Sequence, residues 1–270
     1  MSQMPEQSYA IAEDLRRILD IERLDRDLFR GIHATNAAAR ASLFGGQVAA
    51  QALMAAGLTV EDDRHPHSLH GYFLRRGRPD RPVLLYVDRD RDGRSFSARH
   101  VSAVQEGEVI FSMLASFHLD EPGGTFDAAP SELSPLDGTF VSQNFLLEIR
   151  AQSPPAADPS RPSFPEHLWI RAAHTLPDDR LSPAAALTSI SDLGSGFGQV
   201  RQADLPVGGP SIDHAVWFQT PIRVDEWVHL KIWPVKAGGS RGLYHGAIRD
   251  QQGRLGATLA QEMLLRAEPT

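Results

Sequence analysis

The sequence predicts an α+β fold built from two tandem copies of one unit, each a central helix wrapped by an antiparallel sheet. Three observations carry that prediction. The segment HSLHGYFL (67–74) resembles SIDHAVWF (211–218), which sets His70 under His214. Downstream, the turn glycines Gly93 and Gly107 fall under Gly239 and Gly253 at one shared offset. In both halves an alanine-rich stretch is followed by apolar or alternating runs separated by turn residues, the mark of a helix and then a meander. Repeats with one order of strands and turns are most economically two copies of one unit.

The elements follow in order. Residues 18–32 supply a strand ahead of the first helix. Gly45 and Gly46 open GGQVAAQALMAAGLTV, whose Val48, Ala52 and Ala55 fall at helical spacing, and its small side chains let the helix lie close to a sheet. Strands are expected over 68–74, 83–88, 95–105 and 108–119, with hairpin chemistry at Asp92-Gly93 and Glu106-Gly107. The first unit then spans 12–120. The segments 121–144 and 152–166, rich in Pro, Ser, Asp and Gly, read as linker. The second unit, 145–268, begins with strands at 145–151 and 168–173. Its helix covers 182–193, with Ser182 as N-cap and Pro183 in the first turn. Four strands follow between 212 and 265.

Composition narrows the function. A net charge of −7 argues against a nucleic-acid partner, which needs a basic surface. The absence of cysteine excludes disulfides, thiolate nucleophiles and Cys-type zinc sites, and fits a reducing compartment. The opening stretch is polar and acidic, and no apolar run nears the roughly 20 residues that span a bilayer. A cytoplasmic protein with no membrane partner is expected.

Asp192, Ser211 and Gln261 stand out because the first copy lacks them. By the repeat offset, His67 lies under Ser211 and Ala115 under Gln261, while no acid matches Asp192. A structural feature would recur in both copies more often than in one. A carboxylate that can orient or deprotonate water, beside a hydroxyl and an amide that fix it, suits a water-activating site.

The same residues carry a family resemblance. LFGGQVAAQAL (43–53), HSLHGYFLRRG (67–77), DGRSFSARHVSAVQ (92–105), SDLG (191–194), IDHAVWF (212–218) and AQE (260–262) resemble the type II acyl-CoA thioesterases, of double hotdog fold. The resemblance covers nearly the whole chain outside the linker. It implies hydrolysis of acyl-CoA to free fatty acid and CoA, with no cofactor, and places the catalytic Asp, Thr or Ser, and Gln on Asp192, Ser211 and Gln261. It also implies a homo-oligomer. An apolar channel between helix and sheet favours a medium or long acyl chain.

Further candidates rest on local chemistry. Gly45 and Gly46 at a helix start suit an oxyanion hole, or tight packing alone. His67 is a candidate for the substrate pocket. Arg75, Arg76 and Arg78 suit the phosphates of CoA, or a solvated loop. No metal is expected: His65, His67 and His70 lack partner acids, and strand alternation would turn His67 and His70 to opposite faces. Gly238-Gly239-Ser240-Arg241-Gly242 matches G-x-S-x-G in letters, but a strand follows where the nucleophile elbow needs a helix. Two other functions compete with hydrolysis. A hydratase or dehydratase would need a histidine to partner Asp192, and an acyl-thioester-binding protein would bind without turnover.

Overall fold

The computed structural model describes residues 14–31, 42–128, 133–136, 139–144, 147–151, 165–198, 200 and 209–266. The first unit contains α1 (Asp14–Leu19), β1 (Glu22–Asp25), β2 (Leu28–Gly31), α2 (Gly45–Gly57), β3 (Arg64–Phe73), β4 (Val83–Asp92), β5 (Phe96–Gln105) and β6 (Glu108–Leu119). The second contains β7 (Thr139–Asn144), β8 (Leu147–Ala151), β9 (His167–Ala172), α3 (Leu181–Ser191), β10 (Asp213–Phe218), β11 (Val228–Gly238), β12 (Arg241–Asp250) and β13 (Leu255–Leu264).

All these strands lie in one antiparallel sheet of order β1-β2-β4-β5-β6-β3-β10-β13-β12-β11-β9-β8-β7. The units meet at its centre, where β3 and β10 pair from Tyr72↔Asp213 to Ser68↔Trp217. Alternation decides which side chains face the helices. On β5, Ser97, Arg99, Val101 and Ala103 point inward, and on β12 Gly242, Tyr244, Gly246 and Ile248 do. One continuous core runs through both units, from Phe29, Leu53 and Phe117 to Ile170, Ile190 and Val216.

Helices α2 and α3 lie antiparallel against each other. Every residue of α2 from Gly46 to Ala56 is buried, because the helix is flanked by the sheet and by α3. Its small side chains permit this approach. A Cβ on Gly46 would sit 2.4 Å from the Ser189 carbonyl oxygen, and one on Gly57 would meet the Leu181 side chain. The start of α2 therefore lies beside the end of α3, and the reverse holds at the other end.

Two hairpins close through paired left-handed residues, Glu106-Gly107 (φ 51° and 83°) and Gly239-Ser240 (φ 58° and 60°), as two-residue turns matched to strand twist require. Ser240 is thus a turn residue between β11 and β12, not a nucleophile elbow.

The structure departs from the sequence reading at several places. Residues 18–32 do not form one strand. Leu15, Ile18 and Leu19, buried at helical spacing, belong to α1, and a turn at Arg26-Asp27 folds the rest into the hairpin β1–β2. Segment 121–144, read as linker, ends in strand β7, which pairs with β8 at the sheet edge. Helix α3 starts at Leu181, and its first turn is capped by Asp179, whose carboxylate accepts the Ser182 N–H and hydroxyl, so Ser182 is not the N-cap. The linker at 152–164, residues 145–146 and the unit ends at 12–13 and 267–268 lie outside the described residues.

Candidate active site

Asp192 terminates α3, with φ −90° and ψ 10°. Antiparallel stacking of the helices delivers it to the first turn of α2, where the Gly46 N–H donates to its Oδ2 at 2.8 Å. A carboxylate there is stabilised by the positive end of the helix dipole. Ser211, in an isolated bridge with Met263 just ahead of β10, donates its hydroxyl to Asp192 Oδ1 at 3.2 Å. Gln261 points inward from β13 and is 2% exposed. Its Nε2 donates to Asp192 Oδ1 at 2.8 Å and to Ser211 Oγ at 2.6 Å. Among the described residues no cation pairs with Asp192, so its charge is held by dipoles and hydrogen bonds alone.

Both glycines are needed for this approach. A Cβ on Gly45 would stand 2.8 Å from Asp192 Oδ2 and 2.8 Å from the Phe73 ring. The site opens into a cleft of about 690 Å³ lined by Phe44, Gly45, Val48, Phe73, Ile110, Asp192 and Ser211, with Arg75 and Arg76 also on its wall.

Not every candidate converges here. Arg75 donates to the Val109 carbonyl and pairs with Glu108. Arg78 is not among the residues lining the cleft and pairs with Asp80 and Glu106. His67 lies away from Asp192, with its Nε2 2.8 Å from Ser116 Oγ and its ring edge-on to Phe96. The Gly46 N–H is occupied by Asp192 rather than directed at a ligand.

The repeat itself needs correcting by one residue. In the first unit Leu69 pairs with Ala115. In the second the β10–β13 register, continued from Ala215↔Ala260, sets His214 opposite Gln261. Leu69, not His70, therefore matches His214. A slip of one residue exchanges the faces of a strand. His70 accordingly stands outside, with its ring 4.9 Å from that of Trp217, while His214 is fully buried. Likewise Pro66, which pairs with Phe117, and not His67, matches Ser211, which bridges Met263. A register shift between Pro66 and Ser68 also undoes the simple alternation expected of His67 and His70.

Two further residues of the site were not foreseen. The His214 Nε2 lies 2.7 Å from Ser191 Oγ rather than on Asp192, and burial holds its pKa below the ordinary value against the opposing pull of Asp192, the Gln261 amide and Asp213. Tyr244, paired with Gln261 across β12 and β13, is fully buried, and its phenol is pushed well above the usual range by burial and by the charges of Asp192 and Asp213. The only sequence signal for them was an inward polar residue on a strand whose neighbours are apolar.

At the opposite end of the helix pair the equivalent places are Leu58 at the end of α2, Pro66 and Ala115. The residue paired with Ala115 is Arg99, where the Asp192 end has Tyr244 paired with Gln261. Arg99 is 1% exposed and binds Thr59 Oγ1 at 2.8 Å, the Thr59 carbonyl at 3.1 Å and Asp92 at 2.6 Å.

The sequence matches the acyl-CoA thioesterase N-terminal domain over residues 33–118 and the acyl-CoA thioesterase C-terminal domain over residues 120–265. It is 35% identical to acyl-coenzyme A thioesterase 8 of Homo sapiens, over 93% of this chain and 88% of that protein. It is 31% identical to acyl-CoA thioesterase 2 of Haemophilus influenzae, over 95% and 98%. Among solved structures, the acyl-CoA thioesterase II TesB2 from Mycobacterium marinum is 40% identical, with a TM-score of 0.78 over 94% of this chain and 99% of that one. A hot dog fold protein from Alicyclobacillus acidocaldarius, 19% identical with a TM-score of 0.75 over 94% and 98%, shares the fold.

Proposed function

This chain belongs to the acyl-CoA thioesterase family, and from that premise we propose that Asp192, Ser211 and Gln261 direct water onto the thioester carbonyl with no covalent intermediate. The enzyme is an acyl-CoA hydrolase with a double hotdog fold. Asp192 takes one proton from the water while its oxygen adds to the carbonyl carbon. The tetrahedral intermediate collapses with cleavage of the C–S bond, and the sulfur leaves as CoA after receiving a proton. Ser211 and Gln261 hold Asp192 Oδ1, the Gly46 N–H holds Oδ2, and the remaining lone pair of Ser211 Oγ can accept from the water. The observation that carries the reading is the convergence of these groups from separate elements on one carboxylate that no cation among the described residues neutralises.

Because the Gly46 N–H is already on Asp192, the oxyanion donor assigned here is the Gly45 amide at the same helix start. The apolar wall of the cleft, Phe44, Val48, Phe73 and Ile110, supports a medium or long acyl chain. Arg76, which makes no ion pair among the described residues, and Arg75, whose pairing with Glu108 is exposed and weak, are the proposed contacts for the CoA phosphates. A cytoplasmic homo-oligomer completes the proposal.

The test is thiol release from a panel of acyl-CoA chain lengths, which a thiol-reactive dye reads cleanly because the protein has no cysteine. Turnover should fall at least about a hundredfold in Asp192→Asn while ligand binding persists. Turnover unchanged in that variant would discard this site.

A further inference from the structure

We infer that His214 is a positioning residue, which donates from Nδ1 to Gln261 Oε1 and so holds the Gln261 amide in the orientation the Asp192 site uses. The inference rests on the site reading above. Gln261 spends its Nε2 on Asp192 and Ser211, so its Oε1 must face the other way. That oxygen is buried and has no hydrogen bond of ordinary geometry, and the same is true of His214 Nδ1. The two residues face each other across β10 and β13, and both side chains are buried on the inner face of the sheet.

The tautomer follows from what surrounds the ring. Fully buried and neutral, His214 carries one ring proton. With that proton on Nε2, two buried acceptors would confront each other, Nδ1 and Oε1. With it on Nδ1 both are satisfied, and Nε2 accepts from the Ser191 hydroxyl at 2.7 Å. The Ser191 hydroxyl also lies in donating position 2.8 Å from the Thr188 carbonyl, so donating to the ring exchanges that bond for the one to Nε2. Without the His214 donor, Gln261 Oε1 is unanchored and the amide is free to rotate away from Asp192. The equivalent pair in the other unit is Leu69 facing Ala115, so the histidine appears only where there is an amide to hold.

The experiment compares kcat and KM for His214→Asn, His214→Gln, His214→Leu, Gln261→Ala and the double variant His214→Leu/Gln261→Ala, with thermal unfolding of each. Asn keeps an N–H near the Nδ1 position, and Gln keeps one nearer Nε2. The expected result is a fall in kcat of about 10- to 100-fold for Leu and Gln with KM little changed, and near-normal kcat for Asn. The double variant should be no slower than Gln261→Ala alone. Losses that multiply in the double variant, or an Asn variant as slow as the Gln variant, would overturn the inference. Direct ¹⁵N measurement of the His214 ring in the wild type, assigned by its loss in His214→Asn, should find the proton on Nδ1, and finding it on Nε2 would overturn the inference whatever the activity. A full-speed Gln261→Ala would instead remove the site reading on which it rests.

Discussion

The two ends of the helix pair occupy equivalent places in the two units and have been furnished in opposite ways. One end gathers Asp192, Ser211 and Gln261 around the start of α2, with Tyr244 paired to Gln261 on the neighbouring strand. At the other, Leu58, Pro66 and Ala115 fill the same positions, and Arg99 ties Thr59 at the end of α2 to Asp92. The guanidinium end is a structural clamp, with each charge and carbonyl matched. At the Asp192 end the phenol standing in for Arg99 brings no charge to pair with the carboxylate. What separates the proposed site from the stabilising contact, among the described residues, is the lack of one cation.

Breaking that distinction should have the largest effect. Tyr244→Arg places a guanidinium within reach of Asp192, as Arg99 reaches the end of α2, and kcat should fall about a thousandfold or more with the fold retained. Thiol release together with circular dichroism reads both, and full activity would mean that the two places differ in reach. Arg99→Met attacks the other end. It strips Thr59 and Asp92 of their buried partner and should cost about 3 kcal/mol in urea unfolding, with kcat at 25 °C within about twofold of wild type. A large loss of activity there would show the ends to be coupled.

The helix-start glycines sharpen the comparison. Gly45→Ala drives a methyl toward Asp192 Oδ2 and should lower kcat about tenfold, whereas Gly57→Ala presses only on the flexible Leu181 side chain and should leave kcat alone. Steady-state kinetics of the pair decides it. The smallest effect concerns acid. His229, at the place matching Leu84 in the first unit, has its pKa lowered from 6.5 to about 4 by burial, with His167 and Lys231 adding to the effect. Between those values the unfolded chain binds the extra proton, so stability is complete above pH 6.5 and declines as pH falls toward 4. At pH 5.5, His229→Leu should recover about 1 kcal/mol of that loss in denaturant titrations, and an unchanged acid slope would assign it elsewhere.

Most of this contrast is legible in the sequence. Strand alternation and turn glycines mark both meanders, and the one-sided occurrence of Asp192, Ser211 and Gln261 points to the furnished end. Elsewhere the signals mislead for physical reasons. Two histidines, His70 and His214, attract an alignment that is wrong by one residue, and with a period of two that error exchanges inside for outside. TFVSQN makes an edge strand from a polar sequence, because β7 needs only one partner. The pairing of His214 with Gln261 depends on a register between strands 47 residues apart, 261 − 214, which no local pattern encodes.

The joint between β3 and β10 has a further consequence. In an assembly of two identical chains with this geometry, every substitution would be written twice, and an arginine clamp at one end would bring an arginine to the other. A single polypeptide running through both units changes each end separately. That independence lets one half hold an arginine clamp while the other keeps, at the equivalent end, the carboxylate proposed to activate water. The covalent joining of the halves is thus as much a condition of the proposed site as any residue within it.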